Sequence, residues 1–333
     1  MDTDRHRSRA GFICVHLCPP VVIHAGLDLT HDGISIQPNR IRPPMKLAAL
    51  PSVASILVAT GVTLQGQQPN LANAQVKTTP VAGNIHMLEG AGGNIAVSTG
   101  PDGVLIVDDQ FLPMAEKITA AIEKLDQGPI RFVLNTHWHG DHTGGNAHFG
   151  KKASIVAQAN VRNRLAGRSE TPKEALPVVT FQDGASVHFN GEEIRLIYLG
   201  PAHTDGDSII HFTKSGVFHL GDQFFNGRFP FVDLGSGGDV AGLLKNIEAI
   251  LPKIPDDAKI IPGHGALATR ADLVAYRDML VETIQLVKKA QGDGKTLADV
   301  KTAGLPAKYK DWGSGFINAS RWLEISFNSL SKK

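Results

Sequence analysis

At 333 residues the chain can bury one large core or two ordinary ones. Hydrophobic residues make up 42% and charged residues 20%, the balance of a globular protein. A net charge of +1 with no basic block or stripe argues against nucleic acid as a partner and for a small-molecule substrate.

Both cysteines, Cys14 and Cys18, fall in the first 44 residues, which mix Pro, Arg and His and hold no sustained helical or strand period. Residues 1–44 read as disordered, or as an upstream extension from a start codon placed too early. A Cys/His metal site built from Cys14, Cys18, His6, His16 and His24 is the competing reading, but its spacing matches no zinc module. From Met45 the stretch "MKLAALPSVASILVATGVTLQGQQPNLANA" has one basic residue, an apolar run from Leu47 to Leu64 and a polar end at Ala72-Asn73-Ala74. That is the order of a secretory signal peptide with an A-x-A cleavage site. Pro51, Gly61 and the scattered Ser and Thr weaken the alternative of a membrane anchor. The expectation is a periplasmic or secreted protein whose mature chain starts near Gln75, with no stable membrane span once residues 45–74 are removed. A cysteine-free mature chain suits an oxidising compartment.

Residues 75–333 are expected to form one domain, with a core over about 80–268 and a helical tail over about 269–333, because no Pro-, Gly- or Ser-rich linker divides them. "NIHMLEG" (84–90), "NIAVSTG" (94–100) and "GVLIVDDQ" (103–110) are strand-like, with a turn at Pro101-Asp102-Gly103. Met114, Ile118, Ala121, Ile122 and Leu125 recur at helical spacing and predict a helix over about 113–125. "IRFVLNTH" follows as a buried strand. "ASVHFNGEEIRLIYLG" is a hairpin turning at Asn190-Gly191, and "SIIHFT" and "GVFHLGD" pair around Lys214-Ser215-Gly216. "VAGLLKNIEAIL" is an amphipathic helix, and "AKIIPGHG" a last strand and loop. A long helix from Thr269 to about Gln291 carries the stripe Leu273, Tyr276, Met279, Leu280, Ile284 and Val287, expected to face the core. Hairpins and helical crossovers together imply mixed sheets in a layered α/β sandwich.

The stretch "THWHGDHTGG" (136–145) places His137, His139, Asp141 and His142 directly after a strand, where ligand sites of α/β sheets tend to lie. On an extended backbone His137, His139 and Asp141 share a face and His142 takes the other; Gly140, Gly144 and Gly145 let the loop depart from that alternation. His203 in "GPAHTDGDS", Asp222 in "HLGDQFF" and His264 in "IPGHGAL" also follow expected strands, flanked by Gly or Pro. Histidine is the commonest metal-binding side chain, so a solvated polar loop is the weaker account.

The "HWHGDH" motif, the later His, the "GD" after a strand and the "PGHG" together resemble the metallo-β-lactamase superfamily over roughly residues 80–268. The resemblance implies a four-layer αββα sandwich with a C-terminal helical tail. It also implies a ligand set: His137, His139 and His203 for one zinc, Asp141, His142 and His264 for a second, and Asp222 bridging both. Asp141 and Asp222 then act in catalysis, Asp141 orienting a metal-activated hydroxide and Asp222 spacing two Zn2+ ions. The reaction implied is cleavage of a carbonyl C–N or C–O bond in a β-lactam, lactone or ester.

One fold hosts many chemistries, and two departures narrow the choice. Many zinc β-lactamases of the first subclass carry Cys at the place of Asp222 and Lys at that of Phe225; neither is present here. A bridging Asp is similar to that of glyoxalase II thioesterases, lactonases and exported β-lactamase-like hydrolases. Export weighs against a glutathione thioesterase, whose substrate is made in the cytosol. An iron-dependent persulfide dioxygenase of the same fold is a further alternative, since an oxygen and imidazole ligand set also suits Fe or Mn. A metal-holding protein without catalysis is a third. Flavin-linked di-iron relatives usually carry Glu where His139 stands.

Among the remaining residues, Asp207 is a candidate to orient a ligand histidine, with turn formation beside Gly206 as its other role. Asn226 and Arg228 lie in a candidate substrate loop, where Arg228 could grip a carboxylate, though a solvated surface arginine is the stronger reading. His86, His148, His188, His211 and His219 are expected in packing or surface roles, and Phe224, Phe225, Phe229 and Phe231 in the core.

Overall fold

The structure, a computed structural model, describes residue 71 and residues 73–331. The segment with Cys14 and Cys18, and all but the last few residues of the expected signal peptide, lie outside the described residues. A meander opens the described chain: β1 (Lys77–Ala82), β2 (Ile85–Glu89), β3 (Ile95–Ser98) and β4 (Val104–Val107), each antiparallel to the last. Helix α1 (Ala115–Ile122), entered through a 3-10 turn with Pro113 at its start, crosses to β5 (Ile130–Leu134), which runs parallel to β4. The short helices α2 (Gly140–Thr143) and α3 (Asn146–Phe149) lead to β6 (Ser154–Gln158), and α4 (Ala159–Ala166) leads to β7 (Val179–Phe181). These seven strands form one sheet in sequence order.

The second sheet has six strands in the order β13-β12-β11-β10-β9-β8. Its strands are β8 (Gly184–Phe189), β9 (Glu192–Tyr198), β10 (Ser208–Phe212), β11 (Val217–Phe225), β12 (Lys259–His264) and β13 (Ala268–Thr269). Asn190 and Gly191, at φ 50° and 77°, make the two-residue turn between β8 and β9 that matches the twist of paired strands. Helix α5 (Val240–Ile250) carries the chain from β11 to the parallel β12, and α6 (Arg270–Gly292), α7 (Leu297–Ala303) and α8 (Ala319–Leu330) complete the chain.

Alternation along the strands decides how the layers stack. Met87, Leu105 and Leu134 of the first sheet meet Leu196, Phe212 and Ile261 of the second in an apolar layer between the sheets. Ile106 and Val97 point the other way, onto Ile118 and Ile122 of α1 and Phe149. Phe218 and Leu220 pack outward against Leu243 and Ile247 of α5, Leu280 of α6 and Trp322 of α8. The result is the expected αββα sandwich. The α6 stripe is buried as its spacing predicts, and the helix starts at a capping box in which Thr269 and Asp272 satisfy each other's backbone N–H.

Three local expectations change. Strand β5 stops at Leu134, and from Gly140 the histidine stretch is helical, with His139 as its extended N-cap. Strand parity therefore does not govern Asp141 and His142, which both turn toward the same centre. Asp222 lies inside β11, which runs three residues further, at a break in register with β12 between Gly221 and Phe225. The strands β1, β6 and β7 and the helices α3, α4, α7 and α8 were not anticipated, their apolar periods being short or irregular.

Candidate metal centre

Ligand atoms of His137, His139, His203 and Asp222 lie within 4.8 Å of one another, and so do those of Asp141, His142 and His264. Asp222 joins the two groups. Its Oδ2 is 3.5 Å from His203 Nε2 and 3.9 Å from His137 Nε2, while its Oδ1 is 3.0 Å from His142 Nε2 and 3.4 Å from His264 Nε2. Asp141 Oδ2 completes the second group at 3.3 Å from His264 Nε2 and 3.7 Å from His142 Nε2.

Two close approaches make this crowding feasible. A Cβ at residue 263 would lie 2.0 Å from Asp222 Oδ1, and one at residue 93 would lie 2.1 Å from His142 Cε1. Glycine at 263 and 93 therefore lets the backbone run directly beneath the site. The loop holding Gly93 is tied down by its N–H to the Asp141 carbonyl at 3.0 Å and by the Asn94 N–H to the Gly263 carbonyl at 2.8 Å.

Four of the five site histidines have a ring nitrogen held from outside. His142 Nδ1 is 2.7 Å from Asp108 Oδ2, His203 Nδ1 is 2.7 Å from the Phe231 carbonyl, and His139 Nε2 is 3.0 Å from Asp233 Oδ2. His137 Nδ1 is 3.0 Å from Thr136 Oγ1, which in turn donates to Asp108 Oδ2 at 2.7 Å. A ring that gives one N–H to such a partner turns the lone pair of its other nitrogen toward the site, the arrangement that orients metal ligands. Asp108 adopts φ 63° to reach in, an uncommon conformation for a residue other than glycine.

The electrostatics follow from burial and charge. Burial drives His137 well below the ordinary imidazole value and His203 down to about 4. Burial would also lower His142 and His264, but the facing carboxylates of Asp222 and Asp141 outweigh it, raising His142 and holding His264 at about 9. In return burial would raise Asp222 and Asp141, yet the surrounding imidazoles pull Asp222 well below the carboxylate range and Asp141 to about 2. The hydrogen bond from His139 lowers Asp233 in the same way. His137 and His203 are thus held neutral, whereas His142 and His264 face carboxylates that favour their charged form.

Three buried polar atoms at this centre have no hydrogen-bond partner: His137 Nε2, His142 Nε2 and Asp222 Oδ1. Burying such groups without a hydrogen bond, even beside an opposite charge as for His142 Nε2 and Asp222 Oδ1, costs several kcal/mol unless something else satisfies them. Imidazole nitrogens and carboxylate oxygens converging at these separations suit divalent cations.

The other expected site residues are placed as follows. Asp207 is buried, and its carboxylate accepts from Thr204 N–H at 2.8 Å and Thr204 Oγ1 at 2.6 Å, so it closes the turn that presents His203 and does not touch the ring. Its side chain is too short to reach past that turn, and the Phe231 carbonyl takes the ring N–H. Asn226 donates to the Ala266 carbonyl at 3.0 Å and thereby braces the loop behind His264. Arg228 is exposed, its stem against Gly315 of the tail. Phe224, Phe225 and Phe229 are buried as expected, whereas Phe231 is only partly buried and packs on His139 and His203 with ring centroids 6.0 and 5.8 Å away. His219 is a buried packing residue, its Nε2 donating to the Asn94 carbonyl at 2.9 Å. Asp108, Thr136 and Asp233 were not singled out from sequence. Asp108 stands at a strand end just as the ligands do, a signal that was available.

An αββα sandwich with two His/Asp groups sharing one carboxylate at a sheet edge defines a class of metal-binding α/β proteins. Residues 78–284 match the metallo-beta-lactamase superfamily, and the chain belongs to that family. It is 30% identical over 156 residues to the 2,4-dinitroanisole O-demethylase subunit alpha of a Nocardioides species, covering 45% of this chain and 47% of that one. It is likewise 30% identical over 159 residues to a hydroxyacylglutathione hydrolase of a Polaromonas species, covering 46% and 55%. The chain thus spans about half the length of these curated relatives. A metallo-beta-lactamase from Pontibacter korlensis shares the fold with a TM-score of 0.54 and 17% identity, covering 62% of this chain and 99% of that one.

Proposed function

We propose that the protein is an exported, dinuclear zinc hydrolase that cleaves a carbonyl C–N or C–O bond in a lactam, lactone or ester. The observation that carries this is Asp222, whose two oxygens face two separate imidazole groups. His137, His139 and His203 would hold one ion, Asp141, His142 and His264 the other, with Asp222 between them. When bound, the zinc pair supplies Lewis acidity and brings the pKa of water toward neutrality.

The chain's own residues supply position. Asp141, its side chain 28% exposed, accepts a hydrogen bond from a water at the mouth of the site and aims it at the substrate carbonyl carbon. Asp108 and Asp233 keep the rings of His142 and His139 from rotating as charge develops. Export rests on the order of residues 45–74, and among the described residues no helix is long and apolar enough to cross a membrane.

A thioesterase is the second assignment, favoured by the identity to hydroxyacylglutathione hydrolase. Elemental mass spectrometry of the mature protein, paired with turnover of a chromogenic cephalosporin, lactones and thioesters, tests both. Two zinc per chain with lactam or lactone turnover supports the hydrolase; thioester turnover alone moves the assignment to the second. One iron and no hydrolysis would sink both. Asp222→Ala should lower metal content toward one equivalent and depress turnover sharply.

A further inference from the structure

We infer that Phe316, carried by the C-terminal tail, forms with Phe231 an apolar shelf at the mouth of the metal centre that selects substrates bearing an aromatic or branched aliphatic group beside the scissile carbonyl. The inference rests on the hydrolase assignment above and names the substrate class of that same site.

Phe231 packs on two of the site histidines, and its ring also lies 6.0 Å from that of Phe316 at an interplanar angle of 60°. The apolar surface is therefore continuous from the His139 and His203 rings to the solvent edge. Phe316 is 72% exposed, whereas its neighbour Ile317 is 4% exposed and Tyr309 is 7% exposed. The segment around it is anchored: Phe229 N–H donates to the Trp312 carbonyl at 3.0 Å, Trp312 stacks on Tyr276 at 6.4 Å, and Tyr309 Oη donates to Glu282 at 2.7 Å. A large ring held rigidly in water by buried neighbours contributes little to folding, and a pre-ordered aromatic loses little entropy when a ligand covers it. The family match ends at residue 284, so this wall comes from a tail outside the matched segment.

Covering roughly half of one aromatic face is worth about a fivefold to tenfold preference. The test is steady-state kinetics of the zinc-loaded mature protein on p-nitrophenyl acetate and p-nitrophenyl phenylacetate, for wild type, Phe316→Ala and Phe316→Leu. Wild type is expected to favour the phenylacetyl ester, Phe316→Ala to lose about fivefold in kcat/KM on it through KM and less than twofold on the acetyl ester, and Phe316→Leu to recover most of the loss. Saturation-transfer NMR of chelator-treated protein with phenylacetamide gives a readout independent of turnover, and the ring-proton signal should fall in Phe316→Ala.

Unchanged selectivity and NMR signal in Phe316→Ala overturn the shelf. Unchanged selectivity with an altered oligomeric state also overturns it and assigns Phe316 to a contact between copies. Absence of turnover on any ester, lactone or lactam, with an NMR signal that still depends on Phe316, sinks the hydrolase assignment but supports the shelf as a ligand contact.

Discussion

Asp233 Oδ2 lies 3.0 Å from His139 Nε2 across 94 residues of sequence, while Nδ1 of the same ring faces His203 Nε2 at 2.8 Å. The imidazole is thus gripped by one nitrogen and aimed by the other. Asp233→Asn should weaken binding of one ion by roughly tenfold to hundredfold, read by competition with a chromophoric chelator. Asp233 also accepts from the N–H groups of Gly235 and Ser236, so Asp233→Ala should in addition cost about 1 kcal/mol of stability. Unchanged metal affinity in the Asn variant would remove the orienting role.

Gly263 has no room for a side chain, its Cβ position being 2.0 Å from Asp222 Oδ1 and 2.6 Å from the Gly221 backbone. Gly263→Ala must displace either the shared carboxylate or β11 itself. A loss of roughly 3 kcal/mol in denaturant unfolding is expected, together with reduced metal content. Wild-type stability and stoichiometry would show that the strand end moves freely.

The proton on His264 sets a pH dependence for chelator-treated protein. Burial opposes the charge, but Asp222 and Asp141 hold the folded value at about 9 against the ordinary imidazole value of 6.5. Because the folded value is raised, this contribution is fully present below pH 6.5 and lost as pH rises through 9. The thermal midpoint should therefore fall across that window in chelator-treated protein, and fall less in zinc-loaded protein. Zinc binding should strengthen over the same range, by up to tenfold per pH unit for each proton displaced. A midpoint that climbs from pH 6.5 to 9 after chelation would contradict the assignment.

Trp322 is fully buried, stacks on Phe229 with ring centroids 6.3 Å apart, and donates from Nε1 to Thr283 Oγ1 at 3.0 Å. Trp322→Ala should cost about 3–5 kcal/mol by opening a cavity among α5, α6 and α8. Trp322→Phe, which loses mainly the hydrogen bond, should cost nearer 1 kcal/mol. Similar unfolding midpoints for the two variants would show that the tail packs independently of the second sheet.

Much of the fold was legible because its signals are local. The Asn190-Gly191 turn, the Thr269 start of α6 and the alternation of β9 each depend on a few adjacent residues. The tail was expected to be helical, but its division into separate elements was not legible: α7 spans only seven residues and packs on α8, which in turn packs on α5 and α6. The histidine stretch was misjudged locally for a related reason: its glycines permit either conformation, and the N–H groups of His142 and Thr143 choose helix by donating to the His139 carbonyl at 3.0 Å.

By itself, the sequence determined which side chains could make a metal centre, since residue type and position after strands are properties of the chain alone. Only the tertiary structure decided how they are used. It turned the two oxygens of Asp222 to opposite groups, brought Asp108 to His142 across 34 residues and Asp233 to His139 across 94, and set Phe231 between the site and the tail. Periodicity and turn chemistry act over a few residues, whereas these pairings exist only once two sheets and their outer helices have packed and brought distant strand ends to one edge.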